Sequence, residues 1–312
     1  MPKNTPRVPS GNASAGMAEL VLLGTKGGPA LRHPGVSFLP TASHLSLPGR
    51  SIIIDCGMGV TASMVASGHA LDDLTDVFIT HYHSDHVLEL GGLLHTAWTA
   101  GLSHPVAVYG PPGLDVIWDK FCDMMAFDIN TRIRDEGRIP LHELVIINVY
   151  DAETFAPIVV LDELDIDLDR GLRVQALRNY HPPVYDSFAL RFDAGQKSVT
   201  FSGDTTYLRA LADFAKDTDI LVHEAMLAKG VDYVLSKTKT DNDQLKKHLL
   251  ASHSFAEDAG KIAAAANCGH LVLHHLIPPE RDICSDEDWL TKVRNSFHGP
   301  CSVGYDGMKL LF

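Results

Sequence analysis

Cysteine is scarce in this 312-residue chain, and the five present (Cys56, Cys122, Cys268, Cys284, Cys301) are scattered with no Cys-x-x-Cys pair. An odd, dispersed set excludes a disulfide framework and fits free thiols in a reducing compartment. Positive charge is thin as well. Lys and Arg total 26 against 39 acids, a net charge of −13, and no basic cluster exceeds Lys246-Lys247. Gripping a phosphate backbone needs clustered Lys and Arg, so this balance argues against a nucleic-acid partner. No apolar run reaches the length of a membrane-spanning helix. Residues 1–17, rich in Pro, Ser, Asn and Ala with no apolar core, are not a signal peptide and read as a mobile tail. Together these absences predict a cytoplasmic protein without a membrane partner. The G-x-G-x-x-G and P-loop spacings are missing too, so the loop 24–29 reads as a tight turn rather than a phosphate cradle.

What is present suffices for a full core. The apolar fraction is 45% and the charged fraction 21%, ordinary values for a globular chain. No linker interrupts residues 18–312, which read as one α/β domain. Short apolar runs at 19–24, 51–55, 76–80, 106–109, 144–150, 172–178, 198–203, 219–222 and 270–273 predict buried strands. Helices are predicted at 61–68, 87–100, 205–216 and 254–267, the last with a Ser254-Phe255-Ala256-Glu257 capping box. The acidic alternation at 162–169 predicts a hairpin edge with its carboxylates in water. A helical insertion around 112–142 carries Trp118, Phe121 and Phe127, and is expected to line an apolar pocket as a lid or to form an oligomer contact.

The chain's chemistry concentrates at Thr80-His81-Tyr82-His83-Ser84-Asp85-His86, four metal-competent side chains within six residues directly after a strand. Imidazole and carboxylate together suit zinc and its first-row neighbours. Three later strands repeat one theme and end on polar residues: Asp204, then His223-Glu224, then His274-His275. Strand ends are where α/β folds gather their sites.

These landmarks resemble the metallo-β-lactamase superfamily, in its order, over most of residues 19–276: Asp55, the H-x-H-x-D-H loop at 81–86, His181, Ser202-Gly203-Asp204 and His275. The resemblance implies a four-layer αββα sandwich and a dinuclear site. His81, His83 and His181 would hold one metal, Asp85, His86 and His275 the other, with Asp204 bridging and Asp55 orienting a ligand histidine. The implied cofactors are two divalent ions, zinc first, with manganese or iron(II) as alternatives. Between two ions ~3.5–4 Å apart a bridging water ionises near neutral pH, so Asp85 and its fellow ligands serve a hydroxide nucleophile. No Ser or Cys nucleophile is needed, and Ser84 and Cys56 read as structural.

Two further segments, His223-Glu224-Ala225-Met226 and His253-Ser254-Phe255, resemble the His-Glu-Ala-Thr and His-Ser-Thr segments of ribonuclease Z. That likeness implies a proton relay from His253 and Glu224 to the leaving group. Ribonuclease Z inserts a tRNA-gripping arm between the His and Asp matched here by His181 and Asp204, yet only 22 residues separate them. The expectation is therefore a hydrolase of a small organic substrate, aromatic or of ester or lactone type, with Trp98 and Tyr185 as further aromatic walls or as plain core. Ribonuclease Z activity is the alternative, and a non-catalytic binding subunit is the alternative of another class.

Overall fold

The computed structural model describes residues 18–31, 38–150, 156–163, 171–238 and 242–312. The tail read at 1–17 and the acidic run beyond Glu163 lie outside them. Two seven-stranded mixed sheets form the centre. The first is built from β1 (Glu19–Gly24), β2 (Ala42–Leu47), β3 (Arg50–Ile54), β4 (Asp76–Phe78), β5 (Val106–Gly110) and β6 (Val145–Val149). The second holds β7 (Ile158–Glu163), β8 (Leu172–Arg178), β9 (Phe188–Ala194), β10 (Lys197–Phe201), β11 (Ile220–Met226), β12 (His270–Ile277) and β13 (Cys301–Val303). The last strand, β14 (Met308–Leu311), returns to the first sheet beside β1.

Alternation along the strands explains the layers. In β1, Leu20 and Leu22 face the second sheet, whereas Val21 and Leu23 face helices. In β12, Val272 faces the first sheet and Leu271 and Leu273 face the opposite helical layer. Both faces are buried, and for that reason these strands read as continuous apolar runs. Helices α1 (Val60–Ala66), α2 (Ser84–Val87), α3 (Leu90–Ala100), α4 (Leu114–Glu136) and α5 (Leu141–Leu144) accompany the first sheet. Helices α6 (Arg209–Phe214), α7 (Ala228–Lys237), α8 (Asn242–Ser252), α9 (Ala256–Ala266) and α10 (Asp286–Arg294) accompany the second. The result is the expected αββα sandwich. Among the described residues, no helix is long and apolar enough to cross a membrane.

Three local expectations need correction. The Ser254 capping box does not form, because Ser254 donates its hydroxyl to the Thr205 carbonyl at 2.6 Å and Phe255 takes the cap position of α9. A complete capping box stands instead at Ser285 and Asp288, opening α10. The insertion at 112–142 is helical, as α4, and none of its residues lines the cleft that holds Asp85, Asp204 and His275. Trp118 is buried in the core between α3 and the first sheet and stacks on Phe121, ring centroids 5.8 Å apart. Gly91 on α3 permits this close approach, since any Cβ there would run into the Phe121 ring. Phe127 is 86% exposed and points to solvent. Trp98 and Tyr185 are not site walls either: Trp98 is core and donates its N–H to the Ile139 carbonyl, and Tyr185 lies exposed under Arg178.

Candidate metal centre

In each sheet four neighbouring strands run parallel out to one edge, β3 to β6 in one and β10 to β13 in the other. Their carboxyl ends carry His81, His83, Asp85, His86, Asp204, Glu224 and His275, while His181 comes from the segment after β8 and His253 from the turn between α8 and α9. The loop after β4 carries His81 and His83, and α2 carries Asp85 and His86. Asp204 follows β10 through Gly203, whose φ of +56° and crowding against the Phe188 carbonyl leave no room for a side chain. His275 comes from a bulge. Glu224 pairs with His274 and Ala225 with Leu276, so His275 is the extra residue, with φ +44°. It turns out of the ladder and brings Nε2 to 3.1 Å from Asp204 Oδ2.

His81, His83, His181 and Asp204 form one group of converging donor atoms, and Asp85, His86 and His275 form a second. His81 Nε2 and His181 Nε2 each lie 3.1 Å from His83 Nδ1. Asp85 Oδ2 is 3.4 Å from His275 Nε2 and accepts the Gly28 N–H at 2.7 Å, so the loop 24–29 serves as a brace for a site carboxylate. Behind the donors, other groups fix the rings. Asp55 Oδ2 is 2.7 Å from His86 Nδ1 and also accepts from Thr80, while His181 Nδ1 donates to the Ser252 carbonyl at 2.8 Å. Such contacts set tautomers and aim Nε2 inward.

The electrostatics fit a cation pair. Burial alone would raise Asp85 and Asp204, but the imidazoles of His86 and His275 outweigh it and hold both carboxyls well below the usual range. Burial pushes His81 well down and His181 down to about 4, the neutral form a metal requires. Burial opposes charge on His275 too, but Asp204 overrides it and lifts it to about 10. Two ionised carboxylates buried among imidazoles make a donor set that dications would satisfy. Two buried atoms, His86 Nε2 and Asp204 Oδ1, have no hydrogen-bond partner, as expected of donors reserved for a metal. Five imidazoles and two carboxylates give a 2− ligand set.

His253 and Glu224 lie beside these groups. His253 Nδ1 is 2.8 Å from Glu224 Oε2, and both are buried. Burial raises Glu224 above its ordinary value even though His253 opposes this. His253 also stands with Asp204 and His275 in a third set of converging donors. His223 faces away, its Nδ1 donating to the Glu224 carbonyl. Cys56 is fully buried and its thiol is pushed well up, so it offers no nucleophile.

A cleft of about 460 Å³ opens over the centre. One side is His83, Asp85, Asp204, His253 and His275, and the other is α7 and α8, with Tyr233, Val234, Leu245, His248 and Leu249. Sequence reading missed this helical pair. The available signal was His248 and His253 five residues apart in a segment that leads into the His-Ser-Phe.

A family profile described as Anti-Pycsar protein Apyc1 matches residues 19–275. The chain belongs to this family. Among curated relatives, a ribonuclease Z of Mycobacterium sp. (strain KMS) is 29% identical over 293 residues, 93% of this chain and 94% of that one. Among solved structures, the metallo-β-lactamase fold protein YhfI from Bacillus subtilis has a TM-score of 0.65 at 19% identity, covering 95% of this chain and 100% of that one. The short form of human tRNase Z gives 0.64 at 20% identity, covering 94% and 98%. Zn²⁺-bound PqqB from Methylobacterium extorquens gives 0.64 at 15%, covering 94% and 99%. The family member described here is thus a hydrolase with the metallo-β-lactamase fold, carrying a His/Asp cluster that could bind metal. The mycobacterial alignment is scarcely longer than the part of this chain it covers. That relative inserts almost nothing this chain lacks, so a missing arm does not separate the two.

Proposed function

We propose that this chain is a dinuclear metal-dependent phosphodiesterase acting on small phosphodiesters. The observation that carries the reading is the buried His253–Glu224 pair, 2.8 Å apart, set beside the two donor groups, with His253 lining the same cleft. Hydrolysis of an alkyl phosphodiester expels an alkoxide, which needs a proton; an activated aryl ester releases a phenolate and makes no such demand on a dedicated pair. An aromatic substrate is supported less, because no residue of the 112–142 insertion lines this cleft.

His81, His83 and His181 would hold one ion and Asp85, His86 and His275 the other, with Asp204 shared. When bound, the two ions supply a water acidified to near neutral pH and positive charge opposite the phosphoryl oxygens. The chain's own residues do the rest. Asp55, Thr80 and Ser252 hold the ligand rings. Glu224, fixed by the Thr205 N–H on Oε1, keeps His253 oriented with Nδ1 toward it. His253 Nε2 is then the atom that hands a proton to the leaving oxygen. The cleft of about 460 Å³ suits a small diester, and the net charge of −13 disfavours a polyanion.

Processing of pre-tRNA 3′ ends is the second reading, favoured by the ribonuclease Z relatives. The protein, reconstituted with zinc or manganese, should turn over bis(p-nitrophenyl) phosphate and small alkyl diesters with kcat/KM above that for pre-tRNA. Efficient, position-specific cleavage of pre-tRNA at physiological salt would establish the second reading in its place.

A further inference from the structure

We propose that His248 is a substrate-binding residue whose Nε2 accepts a hydrogen bond from a hydroxyl or N–H donor carried by the diester. The inference rests on the phosphodiesterase reading and adds a specificity element to it. His248 lies on α8 one turn before Ser252, so the two share a face. Its ring stands edge-on to three site rings, with centroids 6.2 Å from His83, 6.0 Å from His181 and 5.8 Å from His253. It lines the cleft, half-buried, beside the apolar side chains of Leu245 and Leu249.

Hydrogen bonding sets the tautomer. Ser252 Oγ donates its single proton to the Pro182 carbonyl. The 3.2 Å contact between Ser252 Oγ and His248 Nδ1 must therefore run the other way, from an Nδ1–H into the hydroxyl lone pair. A neutral ring locked in this form keeps its lone pair on Nε2, and no hydrogen bond to a protein group engages that atom among the described residues. Burial lowers the affinity of this ring for a second proton, in keeping with the neutral form. An acceptor set between Leu245 and Leu249 discriminates strongly, since a substrate without a matching donor leaves it desolvated and unpaired.

Two variants separate recognition from structure. His248→Asn keeps a donor where Nδ1–H meets Ser252 and lacks the distal acceptor, whereas His248→Gln supplies an oxygen at about the reach of Nε2. Two substrates share a leaving group: thymidine 5′-(p-nitrophenyl phosphate), which carries hydroxyl and N–H donors, and bis(p-nitrophenyl) phosphate, which carries none. In His248→Asn the ratio of kcat/KM between the thymidine and bis-aryl diesters should fall about tenfold, mainly through KM, the size of one neutral hydrogen bond. His248→Gln should regain most of that ratio, and both should keep wild-type metal content. Equal losses on the two diesters, an unchanged ratio in His248→Asn, or metal loss would overturn the assignment while wild-type turnover left the phosphodiesterase reading standing. A wild-type protein inactive on both diesters would overturn both.

Discussion

Asp204 is the residue on which most of the centre depends. Its Oδ2 lies 3.1 Å from His275 Nε2, 3.4 Å from His86 Nε2 and 3.9 Å from His81 and His181 Nε2, so it faces both donor groups at once. Asp204→Ala should therefore remove both metal equivalents and all hydrolysis; a variant that keeps two ions by elemental analysis would refute the shared role. His253 differs, because its Nδ1 is committed to Glu224. His253→Ala should leave metal content intact and slow an alkyl diester by roughly 10²–10⁴, the range of general acid catalysis, but a nitrophenyl diester far less. Equal losses on both would mean that His253 positions the substrate instead of protonating it.

At the scale of elements, legibility followed burial and local pattern. Strands buried on both faces, such as β1, β3, β11 and β12, announce themselves as apolar runs, and the ligand loop after β4 does so by spacing. α7 and α8 do not. Only Gly230 and Val231 of α7, and Leu249 and Ser252 of α8, are buried, so neither carries a long apolar stripe to read. The insertion misled for the reverse reason: its aromatic residues were visible, but which of them face the core is set by contacts remote in sequence. Gly91 against Phe121 is such a contact. Gly91→Ala should destabilise the fold by about 1–3 kcal/mol through overpacking while kcat of the metal-loaded enzyme stays as it is. A loss of kcat without a loss of stability would tie α4 to the active site after all.

At the scale of the whole molecule, acid should unfold this protein through buried neutral imidazoles as well as through metal loss. His44 is buried on β2, 2.9 Å from Ser51 Oγ, far from the metal ligands in the chain; burial first, then His69, pushes it down to about 3. Its folded value lies below the unfolded value of about 6.5, so the unfolded chain binds the proton more readily. The contribution to stability is complete above pH ~6.5 and drains as pH falls toward ~3, at up to about 1.4 kcal/mol per pH unit. Urea unfolding should show His44→Gln losing less stability than wild type between pH 7 and pH 5, by as much as about 2 kcal/mol. Parallel losses would mean that His44 is protonated in the native state.

The bulge at His275 also has a meaning for how such a centre could be lost. Along β12, Leu271 and Leu273 face the helical layer, and Leu276 faces it again two pairings later. Inserting one residue has changed odd to even, and the strand resumes its old parity only if that residue is ignored. Deletion of His275 alone would let Leu276 follow His274 in unbroken alternation against β11. The ladder would close and the core would keep its leucines, yet the only donor on β12 that reaches Asp204 would be gone. A folded scaffold that has lost one ligand of the second donor group therefore stands a single codon away from this one.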